Sequence, residues 1–163
     1  MTIHHSIRWG FTLGLATSLA TQILTWLGLG LSQWFNVISI ALVVIFTFFC
    51  LQQLRTRLES RLTFKDALIH VVLLILIARV IFQIYMFVYT RYIDPEWVDT
   101  VSLSWSSSLE ASGMEADRIE QTIEQFRKSY HPVPMFTTAL IQYAIPQFIV
   151  GLLVSLYFGL RKK

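Results

Sequence analysis

The sequence predicts an all-α membrane protein, in which an extramembrane helical hairpin lies between the third and the fourth of four transmembrane helices. Hydrophobic residues make up 55% and charged residues 14% of the 163 positions, whereas a soluble domain carries roughly 25% charged residues. Four apolar runs are each long enough to cross a hydrocarbon core of about 30 Å. We therefore treat residues 1–163 as one membrane domain, with predicted spans at residues 7–29, 34–54, 65–90 and 136–160 and an outer helical insertion at residues 91–135.

The first run carries small residues at regular spacing. Gly10, Gly14 and Ser18 recur every four residues, which leaves one side of the helix narrow enough for another backbone to approach closely. The segment that begins at Ser18 also resembles a signal-peptidase site, but the apolar run continues to Leu27, which favours a retained anchor. The predicted end of this helix and the turn after it are formed by Gly28, Gly30 and Ser32–Gln33.

A strongly basic connection follows the second run. Its only acids are Glu59 and Asp66, and its cations are Arg55, Arg57, Arg61 and Lys65. Positive residues in a short loop mark the cytoplasmic side of a membrane, although the same residues can bind anionic lipid head groups. The basic C-terminal tail, residues 161–163, is predicted to lie on the same side, so both termini are expected in the cytoplasm.

The insertion at residues 91–135 is polar and acidic and is predicted to lie on the outer side. Asp94 before Pro95 predicts a helix start, and the helix is expected to loosen in the serine cluster at residues 104–108. A second, amphipathic helix is predicted from Met114, where it can cover the protein, lie on the membrane or dock a partner. Its apolar stripe consists of Ile119, Ile123, Phe126 and Tyr130. The sequence His131–Pro134 is expected to end it.

Polar side chains recur at one depth of the predicted spans. Arg79 lies near the middle of the third run, where an unpaired guanidinium costs on the order of 3 kcal/mol. At about 1.5 Å per residue, two glutamines of other runs lie, like Arg79, roughly 20 Å from the cytoplasmic ends of their helices. Gln83 lies one helical turn after Arg79. Gln142 lies four residues before Pro146, which has no N–H group to donate to the carbonyl of Gln142. The predicted intramembrane polar cluster is Arg79, Gln22, Gln83, Gln142 and Gln147.

Two roles for this cluster are open. A structural clamp that fixes helix register is favoured. A proton relay is disfavoured, because the predicted spans contain no Asp or Glu apart from Asp66 at the boundary of the third. An anion or lipid head-group site is the alternative, and Arg79 can also reach outward to the interface or pair with another subunit.

Several function classes are disfavoured. The basic residues flank apolar runs instead of forming an exposed stripe, which argues against nucleic-acid binding. No catalytic, cofactor-binding or metal-ligating pattern is present, since His131 stands alone and the adjacent His4 and His5 are expected to be a solvated tail. Cys50, the single cysteine, is expected to pack in the core or against lipid. A membrane enzyme would need a polar cleft near Trp97, Trp105 and His131.

Three phrases carry a resemblance to a known family: SRLTFKDAL at residues 60–68, YTRYIDPEWVD at residues 89–99 and EASGMEADRIEQ at residues 110–121. Together with the four-span layout, they resemble a family of small bacterial membrane proteins, the domain of unknown function 4199. The resemblance is strongest from Leu62 to the C-terminus. It implies a four-helix protein of the bacterial inner (cytoplasmic) membrane, with residues 91–135 in the periplasm, and it implies no activity, cofactor or catalytic residue.

We therefore expect a non-enzymatic subunit or scaffold of a membrane assembly. The seam in the first run and a second small-residue seam, Gly151, Ser155 and Gly159, invite close helix contacts, and the amphipathic outer helix offers a docking surface. The expected partners are membrane lipid and a homo-oligomer or a heteromeric complex. The alternative is a small transporter or an anion- or lipid-binding protein that uses Arg79.

Overall fold

The computed structural model describes residues 3–28, 33–58 and 62–160, without the side chains of residues 33–36, 138–140 and 142–143. All regular secondary structure in these ranges is helical, as predicted. The elements in chain order are α1 (Ile3–Trp26), α2 (Gln33–Arg57), α3 (Phe64–Val88), a π-helical segment (Tyr89–Ile93), α4 (Trp97–Ala111), α5 (Ala116–Ser129), α6 (Pro132–Pro134), a second π-helical segment (Met135–Ala139) and α7 (Leu140–Leu160).

The chain divides into two compact units. The first, which we call the bundle, consists of Met1–Phe82 and Tyr143–Lys163, and the second, the hairpin unit, consists of Gln83–Gln142. The two boundaries fall inside α3 and α7, so each of these helices contributes to both units.

Two helical stretches in the described residues are long and apolar enough to cross a membrane. They are Val37–Arg57 and Phe64–Ile93, while Ala144–Leu160 is apolar but shorter. The first predicted run, in α1, is not apolar enough to be counted with them, because it carries hydroxyl and amide side chains such as Thr12, Thr17 and Gln22 among its apolar residues.

The predicted seam of α1 lies directly against α3. A Cβ atom added to Gly10 would stand 2.7 Å from the carbonyl oxygen of Leu74, and one added to Gly14 would stand 2.7 Å from Cβ of Ile81. Ser18, the third member, is buried. The prediction of a close helix contact is thus confirmed, because only glycine allows the two backbones to approach to this distance.

The second seam also contacts α3. A Cβ atom on Gly151 would collide with Val71, and one on Gly159 would stand 2.7 Å from Cβ of Phe64. Ser155 is fully buried, and its hydroxyl donates to the carbonyl of Gly151 over 2.8 Å. Both seams are therefore used for packing within the chain, and α3 is the helix that both of them contact.

The first connection agrees with the sequence only in part. Gly28 adopts φ +70°, which favours glycine, two residues after α1 ends at Trp26. Gly30 and Ser32 lie outside the described residues. Gln33 opens α2 and is not part of the turn, and α2 continues past the predicted end at Leu54 to Arg57. Basic side chains in a last helical turn interact favourably with its carbonyls, which explains the extra turn.

Two predictions for the first helix of the hairpin unit are wrong. Its N-cap is Glu96, not Asp94, because Asp94–Trp97 first form a turn, closed by a 3.2 Å hydrogen bond from the amide of Trp97 to the carbonyl of Asp94, and the helix begins only at Trp97. The helix also does not loosen at residues 104–108. Hydroxyls in this stretch bond to carbonyls one turn earlier, as Ser107 does to Leu103, and so remain compatible with helical backbone.

Aromatic rings hold α4 against α5. The rings of Trp105 and Phe126 lie 5.4 Å apart and those of Trp97 and Tyr130 also 5.4 Å, in edge-on geometry. Ile119 is buried with them, so the predicted stripe of α5 mainly covers its own unit. The predicted break is confirmed at His131, after which the chain returns at once to helical backbone at Pro132.

Candidate functional site

Arg79 lies half-buried near the middle of α3. Its Nε donates a 2.8 Å hydrogen bond to Oε1 of Gln147 on α7. Gln147 is only 4% exposed although Pro146, which precedes it, exposes its ring. The amide is neutral, so this bond stabilises the guanidinium without removing its charge.

The amide of Gln147 extends the contact to a third helix. Its Nε2 donates to Oγ of Ser39 on α2 over 3.1 Å. The guanidinium carbon of Arg79 also lies 5.8 Å from the ring centre of Phe82, which is within the range of a cation–π interaction. We call Arg79, Gln147 and Ser39 the arginine clamp. It joins α3, α7 and α2 by two hydrogen bonds in series.

The other predicted members of the cluster have different positions. Gln22 is half-buried on α1 in the same unit, and Gln83 is buried on α3 in the part assigned to the hairpin unit. The side chain of Gln142 lies outside the described residues.

The sequence reading missed Ser39 and Phe82. The position of Ser39 in the sequence did carry a signal. Counted from Leu54, the predicted end of the second run, Ser39 lies about 22 Å deep at 1.5 Å per residue, which is the level of Arg79. For Phe82 the sequence gives no comparable signal, because most aromatic side chains in an apolar run face lipid or the core.

A second polar group joins the helices near the start of α1. Oγ of Ser6 and Nδ1 of His70 lie 2.6 Å apart, and Nε2 of His5 lies 3.4 Å from the carbonyl oxygen of Cys50. His5 is only 8% exposed. The expectation of a solvated tail is therefore wrong for His5, although His4 is exposed. Burial of Cys50 confirms its core position.

The pair formed by Ser6 and His70 has the separation of a nucleophile and its base. Ser6 is fully buried, however, so that no substrate atom reaches its hydroxyl. The pair therefore links α1 to α3, and it went unnoticed in the sequence because 64 positions separate the two residues.

The hairpin unit has an open groove of about 610 Å³ between α4 and α5. Its apolar lining includes Met114, Ile119 and Ile123, while carboxylates and one guanidinium stand along it. The charged lining residues are Glu110, Glu120, Glu124 and Arg127. Neither Trp97, Trp105 nor His131 lines it, so the groove is not the polar cleft that a membrane enzyme would need.

Comparison with known proteins adds a family and no activity. No curated protein and no solved structure matches the chain. The family model described as "Protein of unknown function (DUF4199)" matches residues 8–159, nearly the whole chain. The resemblance seen in the three sequence phrases is thus confirmed, and the protein belongs to the DUF4199 family.

Proposed function

We propose that the protein is a four-span integral protein of the bacterial inner membrane, with both termini in the cytoplasm, that acts as a non-enzymatic subunit or scaffold of a membrane assembly. The spans are α1, α2, α3 with the π-helical segment after it, and α7 with the π-helical segment before it. In this topology residues 94–134, the part of the hairpin unit between the third and fourth spans, lie in the periplasm.

The observation that carries the proposal is the inverted polarity of the bundle. Its four long helices expose large apolar side chains, while Gln147, His70 and Ser6 are buried. Exposed apolar surface on this scale is expected against lipid and not against water. The exposed side chains include Phe11, Leu15, Leu19 and Ile23 on α1, Val44, Ile45 and Phe49 on α2, Ile69, Leu76 and Val80 on α3, and Ile145, Ile149 and Leu153 on α7.

The hydroxyl groups of α1 are compatible with a lipid environment. The side chains of Thr12, Thr17, Thr21 and Thr25 each donate to a carbonyl three or four residues earlier. A hydroxyl that hydrogen-bonds to a carbonyl of its own helix does not need a water molecule as its partner. The helix α1 can therefore span the membrane despite its lower hydropathy.

The arginine clamp supports a structural role over transport. Gln147 uses both its oxygen and its nitrogen to connect neighbouring helices, so this polar partner of Arg79 is committed to packing. A carrier acting through Arg79 is the alternative function. Substituting Arg79→Gln separates the two, because a scaffold keeps its partner with a modest loss of stability, whereas a carrier loses ligand binding.

Topology is testable by cysteine labelling, since the sequence contains one cysteine. In a Cys50→Ala background, single cysteines replace the exposed residues Ser112, in the hairpin unit, and Thr56, at the end of α2. A membrane-impermeant maleimide added to spheroplasts should label position 112 before lysis and position 56 only afterwards. Labelling of both positions before lysis contradicts the topology.

The groove between α4 and α5 is the surface that supports a scaffold role, since both small-residue seams are occupied within the chain. Its apolar lining and its carboxylates fit an amphipathic helix of a partner subunit with basic residues beside its apolar face. Cross-linking in native membranes should therefore join a partner segment of that composition to a photoreactive residue placed at Ser106 in the groove.

Charge reversal tests this contact. Glu110→Lys with Glu120→Lys, inside the groove, should abolish the cross-link, whereas Glu96→Lys with Asp117→Lys changes the same charge outside it and should not. A cross-linked segment without basic residues, or equal loss in both variants, contradicts the docking role.

A further inference from the structure

A cavity lies between α1 and α2 near the start of α1 and the end of α2, about 410 Å³ in volume. It is separate from the arginine clamp, since none of the three clamp residues lines it. Neither the family assignment nor the proposed scaffold role assigns a function to this cavity.

Two guanidinium groups from different helices line this cavity. Arg8 is on α1 and Arg57 on α2, both side chains are exposed, and in the described part of the chain neither forms an ion pair with a carboxylate. No acidic residue is among the residues that line the cavity. Gln53 and His5 add an amide and an imidazole. Two cations at one cavity, with no acid among the described residues that line it, favour an anion there.

The cavity also has an aromatic wall. The rings of Trp9 and Phe46 meet edge-on with their centres 5.7 Å apart. Thr12 lines the same wall, but its hydroxyl donates to the carbonyls of Arg8 and Trp9 and so is engaged within its own helix. Along α2, Phe46 lies about 16 Å from Arg57 at 1.5 Å per residue. On α2 the charge is therefore at one end of the cavity and the aromatic ring towards the other, whereas on α1 Arg8 directly precedes Trp9.

We propose that this cavity binds a phosphate ester, whose anionic oxygens are held by Arg8 and Arg57 while its organic part lies against Trp9 and Phe46. Guanidinium groups match phosphate because their N–H donors are arranged as a planar fork. The ligand is the phosphate of an anionic lipid head group or a soluble phosphate. The apolar wall favours the lipid, since a bare phosphate makes no use of it.

Titration of the full-length protein in a neutral detergent tests the proposal with three probes. They are dihexanoyl phosphatidylglycerol, dihexanoyl phosphatidylcholine and inorganic phosphate, and binding is followed by microscale thermophoresis at fixed ionic strength. We expect phosphatidylglycerol to bind more tightly than phosphatidylcholine by at least about tenfold, because the choline cation is repelled by the two arginines. Inorganic phosphate should compete weakly, and competition as strong as that of the lipid identifies a soluble phosphate as the ligand.

Two matched arginines on α2 provide the control. Arg57→Gln should weaken phosphatidylglycerol binding about tenfold, the loss expected for one charge-assisted contact, and Arg8→Gln should do the same. Arg55→Gln removes an equal charge only two positions from Arg57. Because the side chain of Arg55 does not line the cavity, this variant should change binding less than about twofold. Arg8 and Arg57 are exposed, so thermal unfolding of their variants should match the wild type.

Three results overturn the proposal. One is the absence of binding by both anionic probes, another is equal affinity for phosphatidylglycerol and phosphatidylcholine, and the third is an equal loss in the Arg55, Arg57 and Arg8 variants. The last would show a diffuse attraction of basic residues for lipid. None of these results bears on the groove of the hairpin unit, so the scaffold role is tested separately.

Discussion

The bundle and the hairpin unit pack their helices with opposite kinds of side chains. In the bundle, small residues such as Gly14 bring backbones together, and polar side chains such as Gln147 lie inside. In the hairpin unit, the rings of Trp105 and Phe126 fill the space between α4 and α5, and the charged side chains of Arg118 and Glu115 lie outside. Such a difference is what the proposed topology requires, in which the bundle lies in lipid and the part of the hairpin unit between the spans lies in water.

The largest expected effect is loss of the aromatic core of the hairpin unit. Phe126→Ala removes a ring that contacts Trp105 and Tyr130 at 5.4 and 5.0 Å, and it should cost about 4 kcal/mol in the free energy of unfolding. Amide hydrogen exchange should show lost protection in residues 97–129 and retained protection in α1 and α2. Exposed Leu103→Ala is the control and should be nearly neutral. Loss of protection throughout the bundle would mean that the two units do not differ as described.

The converse change enlarges a small residue of the bundle. In Gly14→Leu the new side chain meets Ile81 and the carbonyl of Ala78, and separation of α1 from α3 should cost about 3 kcal/mol. Thermal unfolding in detergent measures the loss. Leu19→Ala, on the outer side of the same helix, should change it little. A tolerated Gly14→Leu would mean that the seam is not tightly packed.

A smaller loss is expected from the arginine clamp. Gln147→Leu removes the acceptor of Arg79 Nε and the donor to Ser39, which should cost about 2 kcal/mol. Adding Arg79→Met to this variant should cost less than the sum of the two single changes, since both residues serve one contact. Gln125→Leu, exposed on α5, is the matched control. Additive losses would show that the two residues act independently.

A gain of stability is expected at Thr47 on α2. Its hydroxyl is buried, and in the described part of the chain it has no hydrogen-bond partner. Thr47→Val keeps the shape and removes the buried polar atom, so the free energy of unfolding should rise by about 1 kcal/mol. Thr56→Val, exposed near the end of the same helix, should have no such effect. Destabilisation by Thr47→Val would show that the hydroxyl is in use.

The smallest effect is a pH dependence confined to the hairpin unit. The ammonium of Lys128 hydrogen-bonds to Glu124 at 2.6 Å and attracts its charge, which together hold the pKa of the Glu124 carboxyl below its ordinary value. A lowered pKa in the folded state stabilises the fold above the unfolded-state pKa, and this contribution is lost as the pH falls through the folded-state pKa. Glu124→Gln should flatten the acid limb of the unfolding profile slightly, and an unchanged acid limb would contradict this contribution.

Local patterns predicted a large part of this structure. The spacing of Gly10, Gly14 and Ser18 predicted a close helix contact, and the stripe of α5 predicted its buried face. The errors at Asp94 and at the serines of α4 arose because a backbone carbonyl or a hydroxyl has more than one local partner, and the sequence does not show which one is used.

The sequence by itself determined which residues are apolar, small or charged, and hence the helices, the seams and the family. Only the tertiary structure decided that both seams face α3, that Arg79 bonds to Gln147 68 positions away, and that Arg8 and Arg57 line one cavity. The physical reason is that the period of a helix shows which residues share a face, whereas the partner of that face depends on how helices distant in the chain pack together.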